Sequence, residues 1–349
     1  MQCLWHCLLS LLLIIKPNSS AALGLQSWLS RLDGHNGSGR FLLISAPRNA
    51  QIAYVELPED GSFANLRPQT LIHGGLHHPQ GLAVDKRRRI LYVADPDSKR
   101  ILGYQLAVEK GSLRVVGGQR IVAQHAESRW VAVDESGNVF FSVEPDSRIL
   151  KVAGHRAMQG NTEPELVYSG NSLMQVSQPG GVAVDGVHLY WTNKHFGTKA
   201  GSVVKASEHF LDAGPPTDVS VLAMNAEKSY GICLASMGNV FFTDSSTYLY
   251  GVKKSGGKVE EVSDRFMKPR GCAWDGDGTV FVADRGANSV YAFPSNMAKV
   301  EHAKVEKAFH FEDAFGLAVL GAGSRLSVSF LVWALPVLGL MRAECMWCR

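Results

Sequence analysis

The sequence lacks most of the features that announce a function. It contains no Gly-x-Ser-x-Gly elbow, no Walker loop and no His-Glu-x-x-His helix. Three common routes to chemistry therefore have no local signature. Charge of one sign is also missing: 35 Lys and Arg against 32 Asp and Glu leave only +3. That is too small an excess for the basic stripe of a nucleic-acid binder, and no nucleic-acid partner is expected. Cysteine is scarce. Of six, Cys3 and Cys7 lie in an apolar N-terminal run, and Cys345 and Cys348 follow an apolar C-terminal run. Only Cys233 and Cys272 fall in the body, so no disulfide framework is expected and the fold must be held by its own core. The Cys345-x-x-Cys348 pair has no second pair to complete a zinc site; on a cytosolic tail it would suit palmitoylation, and otherwise it is two plain thiols. What is plentiful is apolar and small: hydrophobic residues make up 46% against 19% charged, with 35 glycines. This is a globular chain with many tight turns.

The two ends read differently from the body. Leu4 to Ile15 is apolar apart from His6 and Ser10. It is too short for a membrane span of about 20 residues but fits the core of a secretory signal peptide. Ser20-Ala21-Ala22 places small residues for cleavage after Ala22. A retained N-terminal anchor competes, because no Lys or Arg precedes the run. Residues 23–37 read as a linker. It holds the glycosylation sequon Asn36-Gly-Ser38. At the other end, Leu326 to Met341 lies between Arg325 and Arg342, within a hydrophobic anchor and short tail spanning 321–349. A single transmembrane helix is the first reading. A GPI signal using Gly321 to Ser324 is the second, and an apolar tail packed on the fold is the third. The expected location is the secretory pathway, at the cell surface or an endomembrane.

The body repeats. Gly81-Leu-Ala-Val-Asp85 with Ile90-Leu-Tyr-Val-Ala-Asp95 is matched by units starting at Trp130, Gly181, Gly231 and Gly271, with a sixth start at Phe315-Gly316. Each unit carries an apolar strand, a turn of Gly, Asp, Asn or basic residues, an aromatic and β-branched strand, a third strand and a weaker fourth. Four strands per 40–50 residues is the period of a propeller blade. The sixth start supplies one strand. The N-terminal segments Phe41–Ser45, Ile52–Glu56 and Gln69–His73 supply three. Joined, they make one blade and remove unpaired edges. The expected fold is all-β: a monomeric six-bladed β-propeller over 38–320, closed by pairing of its N- and C-terminal strands.

Pro79-Gln-Gly-Leu-Ala-Val-Asp85 with Leu91-Tyr-Val-Ala-Asp95 and Arg100-Ile-Leu resembles the NHL-repeat family, and Leu189-Tyr-Trp-Thr-Asn193 is similar to the YWTD repeat of lipoprotein-receptor propellers. The resemblance implies the fold over about 280 residues and little about function, since such propellers serve as receptors, scaffolds and a few enzymes. Peptidyl-hydroxyglycine lyases share the repeat type but, as a family, ring the channel mouth with zinc-binding histidines. The ring here has none.

That ring is the position just before each first strand: Phe315, Gln80, Arg129, Gly180, Tyr230 and Arg270 in blade order. Arg129 and Arg270 lie three blades apart, and Tyr230 and Phe315 sit on the blades flanking Arg270. Two guanidiniums with aromatic neighbours suit a carboxylate, a phosphate or an acidic peptide; ordinary rim residues paired with acids such as Asp284 and Asp313 are the bland alternative. Second-strand endings Asp95, Glu144, Asp244 and Asp284 are weak candidates for Ca²⁺, against a role as turn acceptors. No other cofactor is expected. Asp275-Gly-Asp-Gly278 reads as a hairpin turn, His73, His77 and His78 as a loop cluster without metal, and Lys86 to Arg89 as a solvated turn on the opposite face. The expected function is a membrane-tethered binding module for a protein, acidic peptide or small anionic ligand. A propeller hydrolase or lyase with a metal at the channel mouth is the alternative.

Overall fold

The structure, a computed structural model, describes residues 39–321 apart from 59–60, 64–65, 110, 161, 196–199, 209–217, 226, 297–299 and 302. Within each repeat the first two strands are apolar at nearly every position, and every residue of Leu82–Asp85 and Ile90–Asp95 is buried. Strands with both faces covered need no polar alternation. The fourth strands are partly exposed and mix polar with apolar residues, as in Gln69–His73 and Glu306–His310.

Twenty-four strands among the described residues form six four-stranded antiparallel sheets. The C-terminal strand Leu317–Leu320 pairs antiparallel with Arg40–Ala46, Phe41 opposite Leu320 and Ile44 opposite Leu317. It is the inner strand of the sheet that Gln51–Leu57 and Gln69–His73 complete. The chain is thus a six-bladed propeller closed by its two ends, as the strand count implied. This closing sheet is blade 1. Blades 2 to 6 follow in chain order, with inner strands Leu82–Asp85, Ser128–Val133, Pro179–Val184, Ser229–Leu234 and Pro269–Trp274.

The core is six clusters, one between each pair of neighbouring blades. Leu43 and Ile52 of blade 1 pack with Leu91 and Leu102 of blade 2, and Phe241 and Leu249 of blade 5 with Val280 and Phe293 of blade 6. Two features were not expected. Blade 2 ends in a long hairpin, Arg100–Glu109 against Ser112–Ala123, turning at Gly111 with φ 78°. A short helix, α1 (Gly154–Gln159), follows the third strand of blade 3. The expectation of a body without disulfides is overturned. Cys233 and Cys272, on the inner strands of blades 5 and 6, are bonded with their Cα atoms 5.6 Å apart. Two cysteines carry no spacing pattern, and only the propeller brings strands 39 residues apart side by side.

A ring of inter-blade hydrogen bonds fixes the channel mouth. In blades 2 and 6 a glycine N–H donates directly to the next blade: Gly81 to the Arg129 carbonyl and Gly271 to the Phe315 carbonyl, both at 2.9 Å. In blades 5 and 1 a hydroxyl relays it. The Gly231 N–H donates to Thr243 Oγ1 at 3.0 Å, which donates to the Arg270 carbonyl at 2.7 Å. The Gly316 N–H donates to Ser45 Oγ at 2.8 Å, which donates to the Gln80 carbonyl at 2.5 Å. Ser142 and Thr192 make the same link to the Gly180 and Tyr230 carbonyls. The glycines are required by the approach: a Cβ on Gly231 would lie 2.1 Å from the Arg270 carbonyl oxygen.

Candidate functional site

The bonds of this ring hold the backbone of all six mouth positions, and the structure sorts their side chains into two layers. Phe315 and Gln80 do not line an open mouth. Phe315 is buried against Trp130, with ring centroids 5.3 Å apart and Tyr230 packed on the same cluster. Trp130 stands where five repeats have glycine, and its indole packs against Phe315 of blade 1, which is not a neighbour of blade 3 in the ring. Gln80 is 2% exposed, and its Oε1 has no hydrogen-bond partner among the described residues.

Above this aromatic floor stands a cluster of cations. Arg129 and Arg270 belong to it, as the repeat alignment placed them, and Lys194 and Arg285 join it. Both newcomers follow the last residue of a second strand, Asn193 and Asp284. The alignment that exposed the ring could have found them there. The Tyr230 ring lies between two cations, Arg270 at 4.4 Å and Lys194 at 5.0 Å from its centroid. Arg285 lies 5.7 Å from the Phe315 centroid.

Three of the four cations have acidic partners. Lys194 contacts Glu144, and Arg129 reaches Glu144 at 3.4 Å and Glu127 at 3.8 Å. Arg285 donates to Asp313 at 2.6 Å. Arg270 differs. Its guanidinium donates to the carbonyl of the adjacent Pro269 at 2.8 Å and has no ion pair among the described residues. Burial lowers its pKa, and so does the nearby charge of Arg285. Burial also lowers that of Lys194, with Arg129 and Arg270 adding repulsion and Glu144 opposing it. A half-buried cation crowded by others and stacked on a tyrosine is an incomplete charge pair.

The weak metal candidates divide. Asp95 accepts the backbone N–H groups of His77 and His78 at 2.9 and 2.8 Å, which also accounts for the His77–His78 loop. Asp284 accepts four, from Met267, Lys268, Gly286 and Ala287. Glu144 faces Lys194 and Arg129. Of the four, Asp244 alone keeps a buried oxygen, Oδ2, without a hydrogen-bond partner among the described residues. On the opposite face Asp275 accepts from Asp277, Gly278 and Thr279, as a hairpin turn requires. Arg88 is not simply solvated: it donates to buried Asp85 at 2.8 Å. Among the described residues no three His, Cys, Asp or Glu side chains converge as a metal centre.

No protein-family model matches the chain, and no curated protein matches it in sequence. Solved structures do match its fold. A chain of the nidogen/laminin complex aligns at TM-score 0.59 and 15% identity, covering 80% of this chain and 98% of that one. A gluconolactonase from Xanthomonas campestris aligns at TM-score 0.51 and 12% identity, covering 79% and 86%. The likeness to NHL and YWTD propellers is therefore one of fold. The neighbours include both a binding assembly and an enzyme.

Proposed function

We propose that the chain is a binding module that takes an acidic group of a protein or peptide at the channel mouth, with Arg270 as its anchor. The observation that carries this reading is the unpaired, half-buried Arg270 guanidinium stacked on Tyr230 beside Lys194. A carboxylate there would complete the charge pair and bond both cations, while Phe315 and Trp130 close the channel beneath it. The propeller of the nidogen/laminin complex belongs to a protein–protein assembly, which is the kind of role proposed. A metal-dependent hydrolase or lyase would need free carboxylates or imidazoles at the mouth, and Glu144 and Asp313 are each held by cations. The proposal extends to the secretory pathway, with cleavage after Ala22, glycosylation at Asn36 and tethering through 326–341. These segments lie outside the described residues. The Cys233–Cys272 bond supports an oxidising compartment. N-terminal sequencing of the mature protein and alkaline carbonate extraction test that part.

The site is tested by screening the protein against peptides rich in Asp and Glu and against their Asn and Gln counterparts. A charge-assisted contact contributes about 1.5–3 kcal/mol. Arg270→Ala should weaken binding of a selected acidic peptide roughly 10- to 150-fold, and less at high salt. Arg87→Ala, an exposed charge on the opposite face, is the control. Equal binding by wild type and Arg270→Ala refutes the site.

A further inference from the structure

Seven buried side-chain nitrogen or oxygen atoms lack a partner among the described residues, and three of them lie together between blades 4 and 5: Asp244 Oδ2, Ser229 Oγ and Asn225 Nδ2. Ser229 and Asp244 are register partners at the upper end of blade 5. Asn225 pairs with Gly201 at the upper end of blade 4. Gly201 faces the same spot. A Cβ on it would lie 2.6 Å from Ser229 Oγ and 2.3 Å from the Glu227 carbonyl oxygen, so these two oxygens crowd one point. Burial, the largest effect, raises the pKa of Asp244, while the Asn225 side chain is placed to hydrogen-bond it and favours the carboxylate; with a cation bound, a half-turn of that amide presents Oδ1 in place of Nδ2.

The other blades show what is unusual. Asp95 and Asp284 occupy the equivalent place, and each receives two N–H groups from the loop leading into its own first strand. Asn193 is neutral and receives one from Ser177. In blade 5 that loop turns a carbonyl, Glu227 O, towards the site instead. Asp244 Oδ1 is satisfied by the Ser246 and Tyr248 N–H groups at 2.9 and 3.0 Å, but Oδ2 has no hydrogen-bond partner within normal distance among the described residues. Asp244 is fully buried and has no ion pair among the described residues, and the Glu227 carboxylate adds a second negative charge nearby. Arg270 acts on it only at longer range. Water would satisfy the hydrogen bonds but leave the buried charge uncompensated, whereas a cation meets both needs.

We propose that Asp244, Ser229, Asn225 and the Glu227 carbonyl form a binding site for a hard divalent cation, Ca²⁺ by its chemistry, that pins blade 4 to blade 5. All donors are oxygens, mixed between carboxylate, hydroxyl, amide and backbone in irregular array. Ca²⁺ tolerates such a set, whereas Mg²⁺ demands a regular octahedron. The site shares no donor with the mouth residues proposed to take an anion, and its test does not depend on that reading.

The full chain, freed of metal by EDTA and desalted, is titrated with CaCl2 and with MgCl2 by calorimetry, and its thermal midpoint is read at each concentration. At a Ca²⁺ excess of ~100-fold over Kd, the midpoint should rise by about 5 °C. MgCl2 should give a smaller rise. The Ca²⁺-dependent rise should vanish in Asp244→Asn and shrink in Ser229→Ala, yet persist in Asp284→Asn, whose carboxylate is taken up by backbone. If Asp244→Asn does not fold, a weakening of Ca²⁺ binding by at least ~5-fold in Ser229→Ala decides for the site. No heat and no midpoint shift in wild type overturns the proposal in favour of water. So does a Ca²⁺ response of full size in Ser229→Ala and in any folded Asp244→Asn.

Discussion

The hydroxyl relay between blades makes an isosteric substitution more harmful than a truncation. Thr243 Oγ1 accepts from the Gly231 N–H and donates to the Arg270 carbonyl. Thr243→Val keeps the side-chain shape and removes both bonds. Two buried backbone groups are then orphaned, at about 1–3 kcal/mol each, partly offset by the added methyl group. The net loss should be about 2–4 kcal/mol, a large share of the ~5–15 kcal/mol typical of a domain. At about 2 °C per kcal/mol for a chain of this size the melting midpoint falls by roughly 4–8 °C. Thr243→Ala behaves differently. Blades 2 and 6 carry Ala94 and Ala283 at this place, and there the glycine N–H reaches the neighbouring carbonyl directly at 2.9 Å. An alanine at 243 leaves room for the same closure, whereas valine blocks it. The expected order of stability is wild type, Thr243→Ser, Thr243→Ala, Thr243→Val, measured by thermal and urea unfolding. A Thr243→Val protein as stable as wild type, or more stable than Thr243→Ala, refutes the relay.

The remaining expectations concern covalent, electrostatic and topological links. Replacing Cys233 and Cys272 by serine should cost about 4 kcal/mol, since the bond closes a loop of 39 residues; reduction of the native protein followed by unfolding checks it. Arg88→Ala should destabilise by about 1–2 kcal/mol, because it strips the side-chain partner from buried Asp85, so urea midpoints should separate it from the exposed Arg87→Ala. Deleting 315–349 removes the inner strand of blade 1 and should yield aggregated protein by size-exclusion chromatography, whereas deleting 326–349 should leave a soluble propeller. Glu208, buried and facing Asp134, is pushed up to about 8, mainly by burial. Between about pH 4.5 and 8 the folded chain therefore holds a proton that the unfolded chain has lost, and stability falls as pH rises through that window. By pH 7 the loss is about 3 kcal/mol. Glu208→Gln should flatten this slope in pH-dependent thermal unfolding, and an unchanged slope would contradict the assignment.

The fold was legible because it is repeated. A single Gly-Leu-Ala-Val-Asp says little, but several such units at a near-constant period define a blade. The missing first strand of the N-terminal segments then requires the C-terminal Leu317–Leu320 to fill it. The repeated aspartates were legible for the same reason. Those at the ends of first and second strands accept the N–H groups of the turns beside them, as at Asp85, Asp134 and Asp275. What could not be read is what depends on a side chain leaving its repeat. The Cys233–Cys272 bond needs two blades in contact. The relay needs a serine or threonine whose partner carbonyl lies up to 38 residues away.

The candidate sites appear where the repeat is broken. Trp130 takes the place of a ring glycine and brings an indole into the channel, against Phe315. Lys194 and Arg285 take places where blades 2 and 3 have Pro96 and Pro145, and they bring charge to the mouth. Asp244 keeps the residue of the equivalent strands and the N–H donors of the turn after it, Ser246 and Tyr248, but lacks the two donors of the loop before its first strand, where the Glu227 carbonyl crowds Ser229 Oγ instead. In each case the shared residues build the ring, and the departure leaves something unsatisfied: a guanidinium without a carboxylate in one place, a carboxylate oxygen without a donor in another. A propeller needs neither for stability, since Asp95 and Asp284 show the satisfied form of the same position. An unsatisfied buried charge costs free energy unless a ligand completes it. The two departures call for opposite charges, so the anion proposed at Arg270 and the cation proposed at Asp244 can be told apart by experiment: removing Ca²⁺ should loosen the seam between blades 4 and 5, while Arg270→Ala should weaken acidic-peptide binding and leave the Ca²⁺-dependent midpoint rise in place.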